Sequence, residues 1–412
     1  MRDSMSPRRI ARTLRASVLV AAAVWIVWSV WSASPASAHQ GGRVVHDDLV
    51  VHDDREFEGR RAWVVENGRL EVTLLRGGGH IASIRLLTGN PQSSINPMYV
   101  PATNRGYVGH LVCFPSFGPP SPDERQAGLT GHGEAQTVEW RELAAPAVSS
   151  DGVTFSYGAE LPKTHYRIAR TITLRTGEAV IDVAETIENL VDYDRPYNWN
   201  QHATFGAPFV TPGRLFLDMS AGAGVTDRER TANGQWIGDR EIVWPSASRA
   251  DGSTISLREF HALPGGQAGG QAGGQAYTAF RASGETAWFT LFNPDQRLLV
   301  GYVFAAADHP WIIDWQNRPR ADSPAGTARG IEFGTSPFDE GLRRSVERGQ
   351  LLGTPSYRWI GGRGRVSTRY TIFLTEVAPT FAGVDAVDVS PEGLSLRERG
   401  TGRTVTILSA SR

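Results

Sequence analysis

Cysteine is almost absent from the chain: Cys113 is the only one in 412 residues. One thiol cannot close an internal disulfide, and it excludes a Cys-rich zinc site. Lysine is as scarce, with Lys163 alone, so the positive charge is carried by arginine. Net charge is −1, and no global field draws the protein to nucleic acid or to an anionic membrane. Beyond Trp31 no apolar run is long enough to span a bilayer. Beyond the same point there is no long amphipathic pattern of helical period, which excludes a helical bundle.

What is present begins with the N-terminus. Arg2, Arg8, Arg9, Arg12 and Arg15 form a basic segment, Ala16 to Trp31 an apolar one, and Ala36-Ser37-Ala38 a small-x-small cleavage pattern. That order reads residues 1–38 as a secretory signal and the protein as exported, periplasmic or extracellular, with a membrane anchor only if the segment stays uncleaved. Arg8-Arg9 carries a hint of the twin-arginine route. Residues 39–59 are polar and acidic, with Asp47-Asp48 and Asp53-Asp54, and read as a solvated linker.

The body reads as strands. Leu70, Val72 and Leu74 alternate with Glu71 and Thr73, and Tyr166, Ile168, Ile172 and Leu174 share one face of a period-two run. Ile181, Val183 and Ile187 do the same, and Trp288–Phe292, Leu298–Phe304 and Arg369–Thr375 are further β-rich runs. With 45 Gly and 24 Pro punctuating them, these runs predict an all-β, large antiparallel sandwich over 60–379. The GGQA repeat at 265–276 reads as a flexible loop, and 380–412 as an extension with one strand at Thr404–Leu408.

Three segments carry residues suited to chemistry. His132 sits between Gly131 and Gly133, which predicts close backbone approach to a ligand and an uncrowded imidazole. His202 lies among amides and aromatics in Asn198–Gly206. Glu332 interrupts an apolar strand-like run, where a carboxylate is costly unless paired with a residue such as Arg329 or functional. Two histidines and a glutamate equally suit a metal-dependent hydrolase or lyase, so spacing leaves both chemistries open. In Trp311-Ile312-Ile313-Asp314-Trp315-Gln316, aromatic faces and polar groups of the kind that bind sugars are interleaved, with core packing as the competing role for the tryptophans.

VCFPSFGP at 112–119, His132 in HGEAQ, His202 to Phe205 in H-x-x-F and Glu332 in GIEFGT follow one another in a set order. In that order they resemble the aldose 1-epimerase (galactose mutarotase-like) superfamily, and its hexose-6-phosphate epimerase branch most of all, from about Gly68 to Leu374. The resemblance implies a galactose mutarotase-type sandwich that opens and recloses a sugar hemiacetal without metal or other cofactor. Glu332 is then the base at the C1 hydroxyl, His202 the acid at the ring oxygen, and His132 a donor that positions the ring. Arg105, Gln136, Asp314, Trp315 and Gln316 are the implied substrate-binding residues, and the partner a small-molecule carbohydrate. Gln136 stands where the branch has arginine, and Glu134 adds a negative charge beside it. A phosphate group calls for clustered arginine or lysine, so both changes favour a neutral aldose. A non-catalytic carbohydrate-binding or accessory protein on the same scaffold is the alternative.

Overall fold

The computed structural model describes residues 44–46, 48–102, 107–261, 274–318, 326–390 and 393–409. The expected signal at 1–38, Arg105 and most of the GGQA repeat lie outside these residues.

Two large antiparallel sheets stack face to face. Among the described residues one has 14 strands and the other eight. Alternation builds the space between them. In the strand Tyr166–Arg175 every second side chain is buried and its neighbours are half-buried. Ile168 and Ile172 thus enter a shared core with Trp63, Phe155, Phe289, Tyr302 and Phe333. At about 25 cal/mol per Å² of apolar surface removed from water, this burial is the main force closing the sandwich. The expected strands at Leu70–Leu75, Val180–Asn189, Thr286–Asn293, Leu298–Ala305 and Arg365–Glu376 are all present. Helix is confined to Pro122–Gln126 and Leu342–Arg348 among the described residues.

The ends depart from the sequence reading. Leu49–Phe57, expected within a solvated linker, is a strand paired with Arg60–Asn67, and its Leu49, Val50 and Val51 are buried. The C-terminal extension holds three strands where one was expected. Val384–Ser390, Gly393–Glu398 and Thr404–Ser409 form their own three-stranded sheet. Val384, Val387, Leu394 and Leu396 pack on Phe292, Leu299 and Phe373 of the smaller large sheet. Asp218 anchors this sheet by accepting from Arg258, Arg399 and the Val384 N–H.

Candidate active site

The site lies on the face of the 14-stranded sheet turned away from the shared core. Five neighbouring strands build it: His110–Cys113, Asn200–Gly206, Ala328–Gly334, Trp311–Asn317 and Gln275–Ala282. Because successive side chains alternate, Cys113, His202, Glu332, Trp315 and Tyr277 project to one side. Leu111, Phe117, Val225, Ile313 and Phe338 form the apolar bed of this face.

The opposite face of the His202 strand is fixed by a buried polar network. Glu185, fully buried, accepts hydrogen bonds from Arg170 Nε at 2.6 Å, Gln201 Nε2 at 2.5 Å, Trp199 Nε1 at 3.2 Å and Tyr370 Oη at 3.1 Å. Anchoring Gln201 there commits His202 to the other side, since a one-residue slip would exchange the two faces. Asn200 further zips the strand to its neighbour, donating to Ser336 O and accepting from Ser336 N.

His202 and Glu332 are directly opposed across the ladder, with Nε2 3.2 Å from Oε1. Nδ1 of His202 lies 2.8 Å from Thr204 Oγ1, so both ring nitrogens are engaged. Oε2 of Glu332 is buried without a hydrogen-bond partner, as is Tyr277 Oη. Burial pushes Glu332 well above the usual carboxylate range, and Asp339 adds to the rise. Burial pulls His202 well below its ordinary value, and the neighbouring His132 and His110 act in the same sense. Both shifts favour the proton on Glu332 and a neutral imidazole.

His132 completes the group. Its ring lies 5.5 Å from that of His202, and Nδ1 is 3.3 Å from Cys113 Sγ. Burial lowers it to about 4. Burial also raises the Cys113 thiol, so this contact joins neutral groups. The expectation of an uncrowded imidazole is corrected: Tyr107, Phe117, Cys113 and His202 surround it. The glycine beside it serves the loop instead. A Cβ at Gly133, whose φ is +79°, would fall 2.2 Å from Phe114 O, where the chain must pass for the Glu134 and Ala135 N–H groups to bond that oxygen.

The structure sorts the other expected residues. Trp315 meets His202 edge to face at 5.7 Å and borders the site. Asp314 and Gln316 do not join it, being one residue out of phase and therefore on the core face. There Asp314 forms a two-pronged ion pair with buried Arg329 and accepts from Gln316 Nε2. Arg329 thus pairs with Asp314 and not with Glu332. Trp311 is fully buried and donates to Pro355 O, a packing role. Gln136 closes its own loop by donating to Gly131 O at 2.7 Å. Glu134 is committed elsewhere: its buried carboxylate accepts from Lys163 N, Thr164 N and Thr164 Oγ1. Among the described residues no group of three or more His, Cys, Asp or Glu side chains could hold a metal ion, and no helix is long and apolar enough to cross a membrane.

Sequence reasoning missed four side chains that shape the cleft. Tyr107 stacks on His202 at 5.7 Å and meets His132 edge-on at 5.0 Å. Tyr277, paired with Trp315 across the ladder, carries Arg230 4.1 Å above its ring. Arg230 in turn binds Asp339. For Tyr277, period-two alternation within its strand was the available signal; for the others, which lie outside the matched motifs, there was none.

No protein-family model and no curated protein matches the chain. Solved structures do. A galactose mutarotase-like protein from Clostridium acetobutylicum superposes with TM-score 0.54 at 10% identity, covering 81% of this chain and 100% of that one. A protein described as a candidate aldose 1-epimerase from Klebsiella pneumoniae gives TM-score 0.53 at 13% identity, covering 82% and 88%. A galactose mutarotase related enzyme from Lactobacillus acidophilus gives 0.51 at 12%, covering 77% and 98%. The fold is that of the galactose mutarotase-like β-sandwiches.

Proposed function

We propose that this protein is an exported aldose 1-epimerase-like isomerase that interconverts the anomers of a neutral aldose by acid–base ring opening. The observation that carries the reading is the His202–Glu332 pair, 3.2 Å apart, with a second glutamate oxygen buried and unpartnered on the same face. Export rests on the order of basic, apolar and small residues over 1–38.

Ring opening takes a proton from the C1 hydroxyl and gives one to the ring oxygen; closure on the other face reverses both transfers. A pair holding one proton between two heteroatoms has the right count. When a sugar hydroxyl supplies a hydrogen bond to Glu332 Oε2, the carboxylate form gains the partner it lacks at rest. The pair's proton then passes across the existing contact to His202 Nε2. Glu332 becomes the base at the C1 hydroxyl and His202 the acid at the ring oxygen. His132 and Tyr277 Oη donate to sugar hydroxyls, and Trp315 and Tyr107 cover the apolar face of the ring. No cofactor takes part in these steps.

Magnetisation-transfer NMR on a panel of neutral aldoses tests this. Anomer exchange above the spontaneous rate, lost in both Glu332→Gln and His202→Asn, supports it. Binding of a sugar without accelerated exchange would make the sandwich a carbohydrate-binding protein and end the isomerase reading.

A further inference from the structure

Beside the His202–Glu332 pair lies a charged group to which no role has been given. Arg230, at the end of the strand Ala221–Thr231, donates from Nη1 and Nη2 to the two oxygens of Asp339 at 2.9 and 2.6 Å, and from Nη2 to Asp227 at 2.9 Å. Its guanidinium covers the Tyr277 ring, which Phe338 flanks at 5.8 Å. Asp339 follows Phe338 in the loop beyond the Glu332 strand, and the Gly341 N–H of that loop donates to Phe117 O, next to the His132 loop. The loop that carries Asp339 thus ties the Arg230 strand to the segment before the His132 loop.

We propose that Asp227, Arg230 and Asp339 form a charge screen that admits neutral sugars to the cleft and rejects phosphorylated or carboxylated ones. This deepens the sugar-site reading and rests on it. An isolated arginine at this place would recruit a phosphate, because its planar fork matches two phosphate oxygens. Here the fork is already filled by Asp339, and Asp227 adds a second negative charge, so the three groups sum to −1. An entering anion must displace a two-pronged carboxylate and meets a surplus carboxylate as well. A sugar hydroxyl meets neither penalty and can accept from the guanidinium or donate to Asp339. The reach of the screen over the cleft agrees with the electrostatics: Asp339 raises the proton affinity of Glu332 and His132, and Arg230 opposes it at both. The anion rejection that the sequence suggested through Glu134 is thus reassigned to residues the motifs do not include.

The test is binding, read by calorimetry on the full protein, with glucose and galactose against their 6-phosphates and uronates. The wild type should favour each neutral sugar by about tenfold or more at low salt, as like-charge juxtaposition implies. That preference should shrink as salt screens the cleft's partly exposed charges. Asp339→Asn and Asp227→Asn should each narrow it by about threefold or more, the double variant to near parity. Thermal melts show whether the variants fold, and the salt series on the wild type decides the matter if they do not. Equal or tighter binding of the anionic sugars by the wild type would overturn the screen, as would a preference indifferent to salt and to both substitutions. If no sugar of either kind binds, the sugar reading falls and the screen with it. Neutral sugars bound without discrimination would remove the screen alone.

Discussion

Glu332 and His202 face each other across adjacent antiparallel strands with Oε1 3.2 Å from Nε2, although 130 residues apart in the chain. Replacing Glu332 by Gln keeps the shape and removes the titrating group. Anomer exchange should fall about 10²- to 10⁴-fold, the usual worth of a positioned acid or base. Melting temperature should stay near the wild-type value, because the isosteric amide can keep the contact to His202 and leaves one polar atom unpartnered as the carboxyl does. A variant that melts normally and still exchanges anomers at the wild-type rate would remove Glu332 from the chemistry.

The pH profile should follow the proton count of the pair. Burial raises Glu332 and lowers His202, which widens the pH range of the one-proton state. Loss of that proton at high pH and gain of a second at low pH each stop turnover, giving a broad bell whose limbs belong to the pair. His202→Asn, tested with a residual-activity assay, should flatten the bell. An unaltered profile would show that another group sets it.

Asp314 should matter for stability and not for chemistry. Its carboxylate is the counter-ion of Arg329, and both are buried. Asp314→Ala leaves a guanidinium uncompensated in the core and should cost about 3–5 kcal/mol in chemical denaturation. Folded variant should retain anomer exchange within a few-fold of wild type. A stable but inactive variant would return Asp314 to the site.

That residue also marks how far the sequence could be read. The strands at 70, 166 and 181 were legible from their period of two, and those at 288, 298 and 369 as continuous β-rich runs, the first two of these buried on both faces. Applied to Trp311–Asn317, the same period separates Trp311, Ile313 and Trp315 from Ile312, Asp314 and Gln316, and so assigns Trp315 and Asp314 to opposite faces. Reading the run as one aromatic-rich patch merged them. The strand at Leu49–Phe57 was hidden because its buried Leu49–Val51 adjoin the acidic Asp53-Asp54, whose polarity dominates the composition. His132, His202 and Glu332 were found through their motifs, yet their convergence depends on strand register between distant segments, which no local pattern encodes. Arg230 and Asp339 meet in the same way, through a loop contact and an ion pair across 109 positions.

Gly330 clears the floor between the reacting groups. A Cβ there would stand 3.0 Å from Trp315 Cε3, 3.4 Å from His202 Cε1 and 3.6 Å from Glu332 Oε1. Gly330→Ala would press the indole and imidazole apart by a few tenths of an ångström. Displacement on that scale should lower kcat/KM by about tenfold while leaving the fold intact, since alanine suits a strand better than glycine. Unchanged kinetics would show that the cleft floor tolerates the shift.

Acid should weaken the fold before it reaches the usual carboxylate range. Burial lowers His80, His110 and His309 to about 3 and His132 to about 4. The unfolded chain takes up these protons near pH 6.5, whereas the folded chain resists them until far lower pH. Between those limits the unfolded state binds more protons, so stability is complete above about pH 6.5 and declines as pH falls. Each histidine contributes up to about 1.4 kcal/mol per pH unit within that window. Glu332 works in the opposite sense, because its raised value lets the folded state take a proton first, but it is one group against these four and His202, which burial also lowers. Thermal melts from pH 7.5 to 5 should show a falling melting temperature. His309→Gln, which can keep the hydrogen bond to Thr368 Oγ1 without titrating, should make the fall shallower. A melting temperature flat across this range would mean that the buried histidines are not held neutral by the fold.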